Sequence, residues 1–380
     1  MMIRSENHPD YRQCKLSLMD NIADPDIVFD NEGVSNYYHE YLKQHNLHVK
    51  NGVAALSALT QLAEEIKTAG KEKKYNCIIG VSGGVDSTYV AFKAKELGLT
   101  PLLVHFDSGW NTETAVSNIN NIVNKLGFDL YTYVLDWNEF KDLQIAFFKS
   151  GVVDIEVLTD HAIIAVLHKL ALKFSVTYIL SGTNVATEAT LPKSWIWNKT
   201  DHVNIKNIHK KFGLLKINSY PFFDWRLKKT AQLKGIKVVS ILNYMNYNKD
   251  TVKKSIKTEL GWIDYGMKHG ESLFTRFYQG YILPKKFAID KRKAHLSNLI
   301  FSGQISKSEA MELMNKEVYN PEELKRDMNF VLKKLDFTAS YFDNWLLDER
   351  IDHSFYGYEK SIWQSNFIMK KLFVLRQKFK

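Results

Sequence analysis

The run Ile78-Ile79-Gly80-Val81-Ser82-Gly83-Gly84-Val85-Asp86-Ser87-Thr88 decides the architecture of this chain. It starts as a short apolar strand, turns through paired glycines and opens a helix. Glycines at such a turn let bare backbone N–H groups approach an anion closely. The helix that follows adds its unpaired first-turn amides and the positive end of its dipole. The Gly-Lys-Ser/Thr ending of a Walker-type loop is absent, and Asp86-Ser87 stands in its place. The pattern therefore argues for handling pyrophosphate and against transfer of a γ-phosphoryl group.

Outward from this loop the apolar pattern alternates between strand and helix. Strands are predicted over 77–81, 101–106, 129–135 and 177–180, with a further one near 238–242. Helices are predicted over 53–69, 87–97, 112–126, 138–149 and 158–174. Such alternation predicts an α/β fold with a doubly wound, mainly parallel sheet. Residues 1–50 read as a loop-rich N-terminal segment, 51–260 as the nucleotide-handling domain, and 261–380 as a mostly helical, substrate-binding extension rich in Tyr, His, Lys and Arg. There is no internal repeat and no low-complexity linker.

The 380 residues carry 51 Lys+Arg against 42 Asp+Glu, a formal charge of +9, which suits an anionic partner without choosing one. Basic clusters lie at 206–211, 285–293 and 370–380. No apolar run approaches the roughly 20 residues of a membrane span, and the first residues lack a secretory apolar core. A cytoplasmic protein without a transmembrane segment is expected. Two cysteines, Cys14 and Cys77, cannot form a disulfide framework.

The loop resembles that of the N-type ATP pyrophosphatases, or PP-loop enzymes, which implies ATP as nucleotide, attack at its α-phosphate, and a fold of the adenine nucleotide α-hydrolase type. Ligands of such sheets bind beyond the carboxyl ends of the strands. The segment Ser181-Gly182-Thr183-Asn184-Val185-Ala186-Thr187-Glu188 resembles one in NAD synthetases at Gly182, Thr183, Ala186 and Glu188. The resemblance implies nucleotide binding by Ser82, Gly83, Gly84, Asp86, Ser87, Asp107, Gly182 and Thr183, and Mg²⁺ binding by Asp86 and Glu188. Asp86 and Ser87 are also candidate catalytic residues. Asp160 is expected to be a helix N-cap rather than a substrate contact.

The blocks Gly261-Trp262, Asp264 to Ser272, Thr275 to Gln279, Tyr281 to Pro284 and Asp290 to His295 resemble the N-acetyl sugar amidotransferases of surface-polysaccharide biosynthesis. So does the opening, through Met19-Asp20, Asp24-Pro25-Asp26-Ile27, Phe29-Asp30 and Glu32-Gly33-Val34. This likeness implies ATP-dependent conversion of an acetamido group to an acetamidino group on a nucleotide-linked or related sugar, through an O-adenylyl intermediate. It suggests Arg276 as a catalytic cation, Lys291 and Arg292 as diphosphate cations, and His269, Glu271 and Tyr278 as sugar contacts.

Relatives carry two Cys-x-x-Cys pairs near the N-terminus where this chain reads Cys14, Ser17, Ser35 and Tyr38. Protonated hydroxyls are poor zinc ligands, so no structural zinc is expected. Packing by Tyr37, Tyr38 and Tyr41 is expected to hold the segment instead. Neither cysteine has a glutaminase signature. The resemblance implies separate glutamine amidotransferase and cyclase-like subunits that supply ammonia; a homodimer stays open. Two rival readings are a tRNA-modifying PP-loop ligase and a non-catalytic nucleotide-binding subunit. No nucleic-acid-binding module is evident.

Overall fold

The computed structural model describes residues 9–266 and 270–360. Every predicted strand forms, each within a few residues of its expected bounds: β1 (Cys77–Gly80), β2 (Pro101–Asp107), β3 (Leu130–Val134), β4 (Tyr178–Ser181) and β5 (Lys237–Ser240). They make one parallel sheet in the order β3-β2-β1-β4-β5. The chain builds outward from β1 to β3 and then crosses back to place β4 on the other side of β1. The loop after β1 therefore sits where the strand order reverses, the place such sheets reserve for ligands.

The helices, in chain order, are α1 (Asn36–His48), α2 (Gly52–Ala69), α3 (Val85–Glu96), α4 (Glu113–Leu126), α5 (Trp137–Ser150), α6 (Val157–Lys173), α7 (Val185–Glu188), α8 (His202–Phe212), α9 (Trp225–Leu233) and α10 (Lys249–Leu260). Local chemistry sets their ends. Thr112 caps α4 by accepting from Ala115 N, and Gly127 closes it in the left-handed conformation at φ 69°. Between them Ala115, Ile119, Ile122 and Leu126 recur on one face and are buried against the sheet.

Beyond α10 the chain is helical: α11 (Leu273–Phe277), a π turn over Tyr278–Ile282, α12 (Leu283–Phe287), α13 (Lys291–Phe301), α14 (Lys307–Met314), α15 (Pro321–Lys334) and α16 (Ala339–Leu347). These helices share a core with the N-terminal segment. Met19, Ile27 and Tyr37 pack in the same apolar cluster as Phe147, Trp195, Phe277 and Trp345. Around Cys14, its Sγ accepts from Ser35 N at 3.3 Å, and Lys307 Nζ donates to its carbonyl at 2.8 Å. Tyr37 donates to Asp24, while the rings of Tyr38 and Tyr41 lie on Phe301. Among the described residues no helix is long and apolar enough to cross a membrane. The cluster 370–380 lies outside them.

Two buried histidines tie the layers together. His161 Nε2 accepts from Phe223 N at 2.9 Å and its Nδ1 donates to Lys199 O at 2.9 Å. His353 Nε2 accepts from Asp154 N at 3.2 Å while Nδ1 faces Asn204 Oδ1 at 3.0 Å. Burial pushes both down to a pKa of about 4. Each is neutral when folded, so below pH 6.5 the unfolded chain takes protons first and stability falls as pH drops toward 4. At pH 4 the loss is about 3 kcal/mol per histidine. Melting temperature followed from pH 7 to 5 should fall, and His353→Gln should flatten that slope; an unchanged slope would remove His353 as a cause.

Candidate active site

The loop after β1 is shaped by what presses on it. Gly83 has φ 79°, and a Cβ there would lie 2.6 Å from Ala115 O on α4. Its carbonyl accepts from Trp262 Nε1 at 2.9 Å and from Asn118 Nδ2 at 3.2 Å. Asn118 also pairs with both backbone groups of Ile263. Trp262, from one of the sequence blocks that suggested the sugar enzymes, and its neighbour Ile263 thus brace the loop from behind. Gly182 is equally confined, since a Cβ would come within 3.1 Å of the Asp86 backbone.

Helix α3 has Gly84 at its cap, and no cap side chain closes its first turn. Hydroxyls hold the amides there: Ser82 Oγ accepts from Gly84 N at 3.2 Å and Tyr265 OH from Val85 N at 3.3 Å. Ser87 Oγ accepts from Ser82 N at 3.3 Å and donates back to Gly84 O at 3.2 Å. Amides aimed from a glycine-capped helix end form a ready anion cradle.

In front of this cradle lies a cavity of about 340 Å³, lined by Ser82, Gly84, Asp86, Ser87, Gly182, Thr183, Glu188, Glu271 and two lysines, Lys249 and Lys253. The lysines are one turn apart at the start of α10, and Lys253 Nζ also meets Asp264 at 2.8 Å. Tyr247 donates its hydroxyl to Asp86. Burial, Asp86 and Glu188 together push the Tyr247 pKa up, so both carboxylates stand near it. Two carboxylates beside a phosphate cradle match the usual protein share of a Mg²⁺ shell, which phosphate oxygens and water complete. Among the described residues no cluster of three or more His, Cys, Asp or Glu could hold a metal by itself.

A larger cavity of about 740 Å³ adjoins the first, and Ser82, Ser181, Gly182 and Glu271 line both. Glu271 stands at this junction. Its Oε1 lies 3.3 Å from Ser82 Oγ, and its carbonyl accepts from Thr112 N and Oγ1 at 3.0 and 3.1 Å. A bridge between Asn111 and Ser272 completes the seam. The segment 271–273 is thereby laid across the end of β2, which brings the C-terminal region to the loop. The apolar wall of the larger cavity comes from β1, β2, β4 and α6; its polar end has Glu156, Asp160, Lys199, Gln279 and Lys291.

Several sequence candidates lie elsewhere. Arg276 is held by Asp327, Nε at 2.8 Å and Nη2 at 2.6 Å, and does not line either cavity. Tyr278 is fully buried and donates to Val153 O at 2.6 Å, so it belongs to the core. Arg292 forks onto Asp290 and donates to Lys316 O at 2.8 Å. Asp107 accepts from Gly109 N at 2.8 Å and Asn111 Nδ2 at 3.0 Å, shaping the turn after β2 instead of facing the cavity. Helix α6 begins at Val157 with Glu156 at its cap; Asp160 is therefore inside the first turn, paired with Lys199 at 2.9 Å and facing the cavity. His269 lies outside the described residues. Lys249, Lys253, Tyr247 and Glu156 were missed in the sequence. Only the two lysines four apart at a helix start carried a signal, and that spacing is common on solvated helices.

Residues 271–371 match the family model described as "LPS biosynthesis protein WbpG-like, C-terminal domain". The C-terminal part of this chain is thus similar to a WbpG-like domain. It starts at the junction residue Glu271, and its matched residues run past the described part of the structure, which ends at 360. The match supports the resemblance read from the sequence to the surface-polysaccharide enzymes. No curated protein matches the chain. Among solved structures the chain is similar to an NMN synthetase from Francisella tularensis, at 13% identity and a TM-score of 0.31, over 74% of this chain and 96% of that one. The α/β, doubly wound assignment stands on the strand order itself.

Proposed function

We propose that the protein is an ATP-dependent, AMP-forming ligase that converts an acetamido group of a nucleotide-linked sugar to an acetamidino group in lipopolysaccharide O-antigen biosynthesis. The observation that carries this reading is the meeting of a phosphate cradle and a second, larger cavity at Glu271, the first residue of the WbpG-like domain. An enzyme that joins ATP to a second substrate needs such a junction, with the α-phosphate at the boundary.

On this reading the loop amides, Lys249 and Lys253 bind the β- and γ-phosphates, and the apolar wall of the larger cavity takes the adenosine. Asp86 and Glu188 hold Mg²⁺, which when bound neutralises charge on the triphosphate. An amide carbon is a poor target for ammonia because its oxygen leaves badly. Adenylation converts that oxygen into part of AMP, a good leaving group. The chain contributes alignment of the amide oxygen with the α-phosphate and cations for the charge that develops. Ammonia arrives from separate glutaminase and cyclase-like subunits, and the reaction takes place in the cytoplasm.

Incubation with Mg-ATP, ammonium and UDP-linked mono- and diacetamido sugars tests the proposal. Mass spectrometry should find one carbonyl oxygen replaced by NH, with AMP and pyrophosphate formed in equal amounts. AMP and pyrophosphate without a changed sugar would keep the ATP chemistry and overturn the sugar.

A further inference from the structure

Along α6 the lining of the larger cavity changes from polar to mainly apolar. Glu156, Thr159 and Asp160 line it at the start of the helix; Ile163, Ile164, Leu167 and His168 line it one to two turns later. At 1.5 Å per residue, Asp160 and His168 are about 12 Å apart along the axis. The polar end is completed by Lys199 from the chain before α8, by Thr275 and Gln279 from α11 and the π turn, and by Lys291 at the start of α13.

The charges of this end are not all satisfied in the same way. Lys199 spans Asp154 at 2.7 Å and Asp160 at 2.9 Å, a closed set. Glu156 and Lys291 face each other electrostatically, but neither has an ion-pair contact among the described residues. Gln279 Nε2 donates to Glu156 Oε2 at 3.3 Å, and Thr275 lines the same end of the cavity. With three carboxyls, Asp154, Glu156 and Asp160, against two ammoniums, Lys199 and Lys291, the end is not built for a diphosphate. It suits a neutral group that brings a hydrogen-bond donor to Glu156, as a secondary amide does with its N–H.

We propose that Glu156 is the catalytic base that takes the N–H proton of the acceptor amide, with Gln279 positioning the carboxylate; this rests on the acetamido reading above. As the amide oxygen bonds to the α-phosphorus, pyrophosphate departs with the P–O electron pair. The nitrogen lone pair becomes the C=N bond, the N–H electrons return to nitrogen, and the proton passes to Glu156. The product is an O-adenylyl imidate whose C=N nitrogen is uncharged and whose phosphodiester keeps its negative charge. Ammonia then adds to its carbon, AMP leaves with the C–O pair, and the amidinium forms from the three ammonia hydrogens while Glu156 returns its proton to water. Burial raises the pKa of Glu156 above the usual carboxylate range, with Lys291 opposing and Asp160 adding to the rise. A base so tuned fits an N–H that becomes acidic only once its oxygen is phosphorylated.

The test is Glu156→Gln in the full chain, with the same UDP-linked acetamido sugars and Mg-ATP. Sugar-dependent AMP formation should fall about 10²–10⁴-fold, the range typical of a lost general base. Melting temperature and the Kd for ATP should stay as in the wild type. The wild-type rate at saturating substrates should rise with pH along a limb that the variant lacks; the charged groups around Glu156 are Asp154, Asp160, Lys199 and Lys291. A variant within tenfold of wild type, or a wild-type profile without the limb, would overturn the base and leave the proposed function standing. Absence of any sugar-dependent AMP in the wild type overturns both.

Discussion

Asp86→Asn should cut pyrophosphate release at least a thousandfold, about 4 kcal/mol of transition-state stabilisation, while the protein stays folded. The two halves of this expectation have different sources. Asparagine keeps a carbonyl oxygen that can accept from the Tyr247 hydroxyl, so the local hydrogen bond survives. What disappears is the charge of one of the three carboxylates that line this cavity, Asp86, Glu188 and Glu271. A neutral amide is a far weaker ligand for Mg²⁺, which is drawn to carboxylate oxygen. Release of pyrophosphate measured with a coupled assay, alongside a melting curve, decides the matter. Undiminished release would remove Asp86 from the chemistry; a melting temperature lowered by many degrees would mean that its role is structural.

The second large effect is expected at Gly83. Alanine there meets two obstacles at once: a left-handed backbone at φ 79°, costing roughly 1–2 kcal/mol, and a Cβ 2.6 Å from the Ala115 carbonyl oxygen. The loop must move off α4, and movement breaks the bonds that Trp262 and Asn118 make to the Gly83 carbonyl. Gly83→Ala should therefore weaken ATP binding more than a hundredfold and lower the melting temperature. Gly127→Ala is the matched control. It has φ 69° but nothing within 4 Å of its Cβ, so it should cost only the backbone term and leave ATP affinity alone. Equal ATP affinity in both variants, measured by calorimetry, would show that loop placement does not govern binding.

The Glu156 end of the site and the glycine-loop end differ in how far they could be foreseen. Ser82, Gly84, Asp86 and Ser87 lie within one six-residue stretch, and a strand–loop–helix turn fixes their relative positions. Arg276, Tyr278 and Arg292 had suitable side chains, but an arginine's destination depends on which carboxylate the fold brings to it. Asp327 and Asp290 reached two of them first, and Tyr278 points into the core because the π turn directs it there. Glu156 looked like any residue at a helix start until Gln279 and Lys291, more than a hundred positions away, were folded beside it.

The amino-acid sequence by itself determined what is local or periodic: the strands, most of the helices around the sheet, the glycine loop and its place after the first strand. These follow from backbone conformation and from the spacing of apolar side chains, both readable within a dozen residues. The tertiary structure decided which charges share a cavity. Lys249 and Lys253 reach the cavity in front of the glycine loop because β5 lies beside β4, Glu271 reaches Ser82 because its strand-like segment pairs with Asn111, and Lys291 faces Glu156 because α13 starts at the rim of the larger cavity. Electrostatic partners are chosen by distance in space, and no interval along the chain encodes that distance.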